Sequence, residues 1–448
     1  MSRSIHSRRR RGDRLALVAF LNGIPVGQIL QAAAGTLRFV YDDDWRTDSS
    51  AYPLSLSMPL TAVEHRHEAI SAFLWGLLPD NHRTLEHYGR LFGVSAGSPV
   101  ALLSHIGADC AGAVQFAPPE TADTLRAAAS SRRVVHWLDE EEIARELRTV
   151  RERGVPGTTS RTVGQFSLAG AQPKIALLEE NGRWGRPSGR TPTNCILKPP
   201  SGEFRGFAEN EHFCLEMARY LSLGVVTSRV ARFGDEIAII VDRFDRISRG
   251  RQYTRIHQED ICQALAVLPT RKYENEGGPG IADVISLLKD ASRKAEDDVE
   301  RFIRATVLNW VIAAPDAHAK NYALLHSPGG GVRLAPFYDI LSFLPYADAA
   351  LHRIKLAMQI GGRYLVRQVN RTSWETLAKD NGMSIPYVLD NITHVLDQLP
   401  LAAGAVADAA IHDGLDPSSI TKIQDLIVAR SRTCATALST RGHHDDAD

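Results

Sequence analysis

The stretch Ala314-Pro-Asp316-Ala-His-Ala-Lys-Asn321, read with Pro336-Phe-Tyr-Asp339, sets an acid, an amide five residues on, and a second acid 18 residues after that. A helix leads into it. Over Asp298–Val311, the residues Val299, Phe302, Ile303, Thr306, Val307 and Trp310 recur at three- and four-residue steps, the period of a helix with one buried face. Pro315 stops that helix and biases Ala314 away from it. Tyr322–His326 and Val332–Leu334 then read as two strands around Ser327-Pro-Gly-Gly-Gly331. The three polar residues therefore ride on a helix–loop–hairpin–loop frame.

Phosphoryl transfer needs this inventory. One carboxylate positions the acceptor hydroxyl, while an amide oxygen and a second carboxylate hold Mg²⁺ against the phosphates. Magnesium prefers oxygen ligands and takes one or two carboxylates from the protein. The D-x₄-N spacing matches the protein-kinase catalytic loop. By itself the pair serves equally well as a cap and turn.

Working outward, the amino-terminal side supplies cations and a small-residue turn. Lys198 ends the short apolar strand Asn194-Cys-Ile-Leu-Lys198, and Pro199-Pro200 stops it. Ser167-Leu-Ala-Gly-Ala-Gln-Pro-Lys174 is a turn whose amides can approach phosphates, although it is neither a Walker A sequence nor G-x-G-x-x-G. Glu211 follows Lys198 by 13 residues on the next helix, at the place of a lysine-orienting glutamate. Lys198 as a surface lysine and Glu211 as part of a solvated helix face are the competing readings.

Residues 15–29 alternate as strand, Asn22-Gly23 turn and strand, with Leu15, Leu17, Ala19 and Leu21 on one face. Ala69–Leu78 reads as a helix, Ala111–Phe116 as a strand, and 118–135 as a surface linker. Asp139 with Glu142 forms a capping-box signal for a helix through Val150. Ile175–Leu178, Arg229–Phe233 and Ile237–Asp242 read as strands around a helix at 207–222. Beyond 250 the pattern is mainly helical. Segregation of strands and helices predicts an α+β fold.

Composition narrows the class. The chain has 448 residues, 44% hydrophobic and 23% charged, which suits a globular protein of several domains. Its 52 basic and 52 acidic side chains argue against a global field that coats nucleic acid. No apolar stretch approaches 18 residues, so no membrane span is expected. The first residues lack the apolar core of a secretory signal. Five scattered cysteines without a CxxC pair fit a reduced, cytoplasmic compartment. Residues 1–14 carry six arginines against one aspartate, and read as a flexible basic tail or as an arm in which Arg8–Arg11 touch phosphates.

Together these residues resemble the HipA family of bacterial serine/threonine kinases, the toxins of toxin–antitoxin modules. The resemblance runs through Ser167–Lys174, Ile196-Leu-Lys198, Asn210-Glu211, Asp242-Arg-Phe-Asp-Arg246, His257-Gln-Glu-Asp260 and Lys272-Tyr-Glu-Asn-Glu-Gly-Gly-Pro-Gly280. It continues with Asp316–Asn321 and Pro336-Phe-Tyr-Asp-Ile-Leu-Ser342. Nearer the start, Leu21-Asn-Gly, Gly27, Tyr52-Pro-Leu-Ser55, Met58-Pro59 and Leu77-Leu-Pro-Asp80 recur in order.

The resemblance implies a two-lobed, protein-kinase-like fold that uses ATP and Mg²⁺. Asp316 would be the catalytic aspartate, with Asn321 and Asp339 binding magnesium. Lys198 would contact phosphate, and Ala169, Gly170, Ala171, Gln172, Pro173 and Lys174 would form the phosphate loop. Asp242, Arg243 and Phe244 would be the hinge that meets adenine, with His318, Ala319, Lys320 and Tyr338 also lining the nucleotide site. Ser167 matches the family's autophosphorylated serine.

The implied organisation is a tail at 1–14, an amino-terminal module at 15–120, a linker and helix at 121–150, a kinase N-lobe at 151–248 and a helical C-lobe at 249–448. The implied partners are a protein substrate such as an aminoacyl-tRNA synthetase and a small helix-turn-helix antitoxin of HipB type, with DNA reached through that antitoxin. Two departures stand out: Asp242 where glutamate is frequent, and Pro315 where a small polar residue is usual. A small-molecule kinase shares the acid–amide–acid logic. A catalytically weak co-repressor that mainly docks on the antitoxin is the non-enzymatic alternative.

Overall fold

The computed structural model describes residues 14–127, 134–155, 167, 169–187, 191–200, 206–249 and 252–439. The basic run Arg8–Arg11 lies outside them. The chain divides into two compact units, one of Met1–Ser201, Ala231–Thr270 and Ala323–Ala335, the other of Gly202–Val230, Arg271–Tyr322 and Pro336–Asp448.

The first unit is built on strands. Five of them form an antiparallel sheet in the order Glu64–His65, Leu37–Tyr41, Ile24–Gln31, Arg14–Leu21, Val114–Ala117. The expected Asn22-Gly23 turn is there: Leu21 pairs with Ile24, and both turn residues have positive φ (51° and 81°), as a two-residue hairpin demands. Leu17, Ala19 and Leu21 enter one apolar core with Phe39, Leu54, Phe73 and Leu103. A second sheet runs Ser228–Phe233, Glu236–Asp242, Cys195–Lys198, Ile175–Glu180, Arg183–Pro187, Val135–Leu138. It packs against the helix Glu140–Arg153, whose Ile143, Leu147 and Val150 share a core with Ile175, Leu197 and Ile240. Asp139 and Glu142 make the reciprocal capping box that their spacing predicts.

Several segments depart from the sequence reading. The stretch 118–135, expected as a linker, holds the helix Ala122–Ala127 and the first residue of the strand Val135–Leu138, while 128–133 lie outside the described residues. Alanine content favours that helix, whereas the strand takes its identity from pairing with Arg183–Pro187, far along the chain. The expected strand from Ala111 begins only at Val114, because the Gly112 N–H is held by the Asp245 carboxylate at 2.6 Å. The two strands expected after the Asp316 loop are present as Ala323–Ser327 and Gly331–Leu334, and Gln258–Asp260, not expected as a strand, joins them in a three-stranded sheet.

The second unit is helical. The helices Phe207–Tyr220, Ile281–Ala291, Ala295–Val311, Arg371–Asp380, Ile385–His412 and Pro417–Ser439 make up most of it. Ala295–Val311 is its axis, burying all six residues that the three- and four-residue steps singled out. Trp310 is fully buried edge-on to Trp374, and its indole N–H donates to the Val366 carbonyl at 3.0 Å.

Candidate active site

Helix termination sets the geometry of the loop that carries Asp316. Beyond Val311 the chain turns back at Ala313, which takes a left-handed φ of 51°, and the Ala314 N–H bonds to the Asn309 carbonyl at 2.9 Å. This is a six-to-one closure, in which an alanine costs about 1 kcal/mol more than a glycine. Pro315 stands immediately after it, where a proline cannot prolong the helix.

Asp316 then emerges with its side chain 66% exposed. Its main-chain carbonyl accepts the His318 N–H at 2.8 Å and the Asn321 side-chain amide at 2.7 Å. Because Asn321 donates through Nδ2, its Oδ1 takes no part in that bond. His318, Ala319 and Lys320 are buried beneath the loop. The Asp316 carboxylate accepts the Tyr273 hydroxyl at 2.5 Å and lies 3.5 Å from His318 Nε2.

The second acid is brought to this loop by its neighbour. The Tyr338 hydroxyl donates to the Lys320 carbonyl at 3.0 Å, so the residues before Asp339 and Asn321 are tied directly together. Phe337 is clamped by two main-chain bonds, its N–H to the Gly224 carbonyl and its carbonyl from the Val226 N–H, both at 3.0 Å. Asp339 has φ 54°, a left-handed conformation uncommon outside glycine, of the kind that clusters at functional positions. Asn210, fully buried, locks Ser342 through both side-chain atoms, 2.8 Å to its carbonyl and 3.2 Å from its N–H. Amide and carboxylate oxygens are the donor types that a hard cation such as magnesium accepts.

In the first unit, sheet register assembles the other expected residues. Ile175 pairs with Leu197, which sets Lys174 level with Lys198. Lys198 is only 5% exposed, so it is not a surface lysine. Glu211, in the second unit, is 2% exposed and so does not lie on a solvated helix face. Ala171 and Gln172 form a bend, and Pro173 leads from it toward the strand. Gly170 has φ 100° and lies against Lys174, whose amine donates to the Ala169 carbonyl at 2.8 Å. Side chains rarely adopt that φ, so glycine is required there.

The same loop is pinned to the amino-terminal module. The Ser167 hydroxyl is buried and donates to the Leu77 carbonyl at 2.6 Å, its N–H donates to the Asp109 carbonyl at 3.1 Å, and the Gly170 carbonyl accepts the Asp80 N–H at 3.2 Å. Leu168 lies outside the described residues.

Asp242 pairs with Cys195 at the far end of the Lys198 strand, and Phe244 is half-buried. Arg243, expected among the nucleotide-facing residues, has its polar groups engaged within the protein. Its N–H donates to the Asn194 carbonyl at 2.8 Å, and its guanidinium reaches Asp245, Thr193 and the Cys110 carbonyl at 2.9 Å each. It braces this turn from inside.

Sequence reasoning missed two residues. Asp109 is 1% exposed and accepts Arg246 at 2.8 Å, Arg255 at 3.1 Å and both the N–H and the hydroxyl of Thr193 at 3.0 Å. Burial alone would raise its pKa, but Arg246, Arg243 and Arg255 outweigh it and hold the carboxyl well below the usual range. Arg246 is pulled down to about 10 by burial and by Arg243, and still carries its charge at neutral pH. Nothing local marks Asp109, a lone acid between a helix and a strand. Tyr273, the partner of Asp316, sits inside a quoted motif but carries no period.

A family model described as the HipA-like C-terminal domain matches residues 166–403, and one described as the HipA N-terminal domain matches residues 17–117. The chain is 34% identical to "Putative kinase Y4mE" of Sinorhizobium fredii over 92% of its own length and 96% of that protein. It is 28% identical to the serine/threonine-protein kinase toxin HipA of Shewanella oneidensis over 88% of this chain and 89% of that one. A solved structure of Shewanella oneidensis HipA with HipB and operator DNA superposes with a TM-score of 0.79 at 23% identity, covering 95% of this chain and 100% of that chain. The α+β kinase-like fold follows from that likeness. Among the described residues, no helix is long and apolar enough to cross a membrane.

Proposed function

Because the chain belongs to the HipA family, we propose that it is an ATP- and Mg²⁺-dependent serine/threonine protein kinase. The observation that carries this reading is the Asp316–Asn321 loop, with the Asn321 amide pinned by Nδ2 and Asp339 tied to it through Tyr338 and Lys320. Bound ATP with its metal supplies the γ-phosphoryl group and neutralises the charge that develops on it. Asp316 orients the acceptor hydroxyl and takes its proton. Asn321 and Asp339 offer oxygens to magnesium. Lys198 and Lys174 place positive charge level with each other at the ends of paired strands, where with the main chain of Ala169–Lys174 they would hold the phosphates. Asp242 and Phe244 present main-chain groups to adenine, with Arg243 holding that turn in place. His318, Ala319 and Lys320 floor the loop.

The same reading assigns the amino-terminal module to 15–120, the kinase N-lobe to 151–248 and the C-lobe to 249–448. Ser167 is the proposed autophosphorylation site. The proposed partners are a translation component as substrate, such as an aminoacyl-tRNA synthetase, and a HipB-type helix-turn-helix antitoxin through which DNA is reached, all in the cytoplasm. The alternative is a co-repressor that docks on its partner without turnover. Calorimetry separates them: magnesium-dependent ATP binding supports the kinase, and its absence from wild type favours docking alone.

A further inference from the structure

The Asp316 carboxylate already holds a hydroxyl. Tyr273 donates its phenolic O–H to Asp316 Oδ1 at 2.5 Å, and its ring stands edge-on to His318, 4.9 Å between centroids at 83°. A kinase aspartate in this role receives one hydroxyl donor, that of the acceptor, before proton transfer. The residue is held from both sides. Just beyond it, the Gly278 N–H and the Glu276 N–H both bond to the Tyr273 carbonyl, at 2.9 and 3.0 Å. Glu274 accepts the N–H of Gln359 at 2.6 Å and its side-chain amide at 2.9 Å. The phenol is thus presented by an anchored turn.

Resting on the assignment of Asp316 as the catalytic aspartate, we propose that Tyr273 is a placeholder for the acceptor hydroxyl. In the acceptor-free enzyme it occupies the proton-accepting oxygen and keeps water from that place, and an incoming serine or threonine displaces it. In the transfer, the acceptor oxygen bonds to the γ-phosphorus while the bond from that phosphorus to the β–γ bridging oxygen breaks. The acceptor proton passes to Asp316, and ADP leaves. Water in the same place undergoes the same exchange and yields inorganic phosphate, so an unguarded aspartate wastes ATP. A tyrosine suits the guard because its ring fixes the hydroxyl with two side-chain torsions.

The test is Tyr273→Phe, which removes the hydroxyl and keeps the ring against His318. Acceptor-free ATP hydrolysis is expected to rise severalfold. With a serine-containing acceptor protein, KM for that acceptor should fall about tenfold, the order of one hydrogen bond to a charged group that no longer has to be broken. The effect should fall on KM rather than kcat, which a merely structural role would not produce. Should that variant fail to fold in a thermal melt, Tyr273→Leu removes the same hydroxyl. Unchanged hydrolysis and unchanged acceptor KM overturn the proposal, as does phosphate found on Tyr273 itself. Asp316→Ala in parallel separates the two claims: full activity in that variant sinks the site assignment, whereas an inactive Asp316→Ala beside an indifferent Tyr273→Phe sinks only the placeholder.

Discussion

The hydroxyl of Ser167 is buried against the main-chain carbonyl of Leu77, 2.6 Å away, in the turn that follows the helix His67–Gly76. A serine held this way has no room for a phosphate. Phosphorylation would add about −1.5 to −2 charge and three acceptor oxygens, and a group of that charge cannot return to a site lined by a carbonyl. We therefore expect the 167–174 loop, once modified, to stay undocked. Mass spectrometry after incubation with ATP should find phosphate on Ser167 in wild type and none in Asp316→Ala. A label on another serine with Ser167 bare contradicts the assignment.

Asp109 ties distant stretches of the first unit together. Its carbonyl holds the Ser167 N–H while its carboxylate holds Arg246 and Arg255. Removing one partner of a buried charge network leaves the others uncompensated, typically at a cost of about 3–5 kcal/mol. Asp109→Ala should lose stability of that order in urea unfolding, with Asp109→Asn losing less. A loss under about 1 kcal/mol would show that the arginines find other acceptors.

His257 gives the fold a pH dependence. Its Nε2 donates to the Leu54 carbonyl at 2.9 Å, and its ring lies beside Tyr52, Phe73 and His326. Burial first, and then His326, push its pKa down to about 3. The unfolded chain binds this proton near pH 6.5 and the folded one does not. Stability from neutral His257 is thus fully present above about pH 6.5 and declines as pH falls toward 3, by about 1.4 kcal/mol per pH unit. His257→Gln should flatten that part of the stability profile, and an unaltered slope would place the titration elsewhere.

Metal binding should depend on Asn321 and Asp339 to different degrees. Asn321→Ala also frees the Asp316 carbonyl from its 2.7 Å bond, so its expected loss of about 10²-fold in turnover combines orientation with metal affinity. Raising Mg²⁺ should recover part of it. Asp339→Ala removes the charged ligand and should lose more, with little recovery. Equal responses to magnesium in both variants would contradict these roles.

How much of this was legible depended on where each partner lies along the chain. Asp316, Asn321 and Asp339 are close enough in sequence for their spacing to propose them together, and Asn22-Gly23 and the Asp139–Glu142 box are local by nature. Lys198 and Glu211 could be named but not weighed, because the burial that excludes their surface readings comes from packing. Asp109 meets Arg246 across 137 residues and Tyr273 meets Asp316 across 43, and neither has a neighbour pattern to betray it. Arg243 carries a guanidinium that meets Asp245, two residues on within the same motif, and Asp109, which only the fold brings near. The strand Val135–Leu138 was lost for the same reason.

Transfer of the γ-phosphate of radiolabelled ATP, in wild type and in Asp316→Ala with and without Mg²⁺, bears most directly on the central claim. Incorporation is expected only in wild type with magnesium, with the variant lower by about 10³-fold, within the range for loss of a positioned general base. Label entering Asp316→Ala as fast as wild type would contradict it.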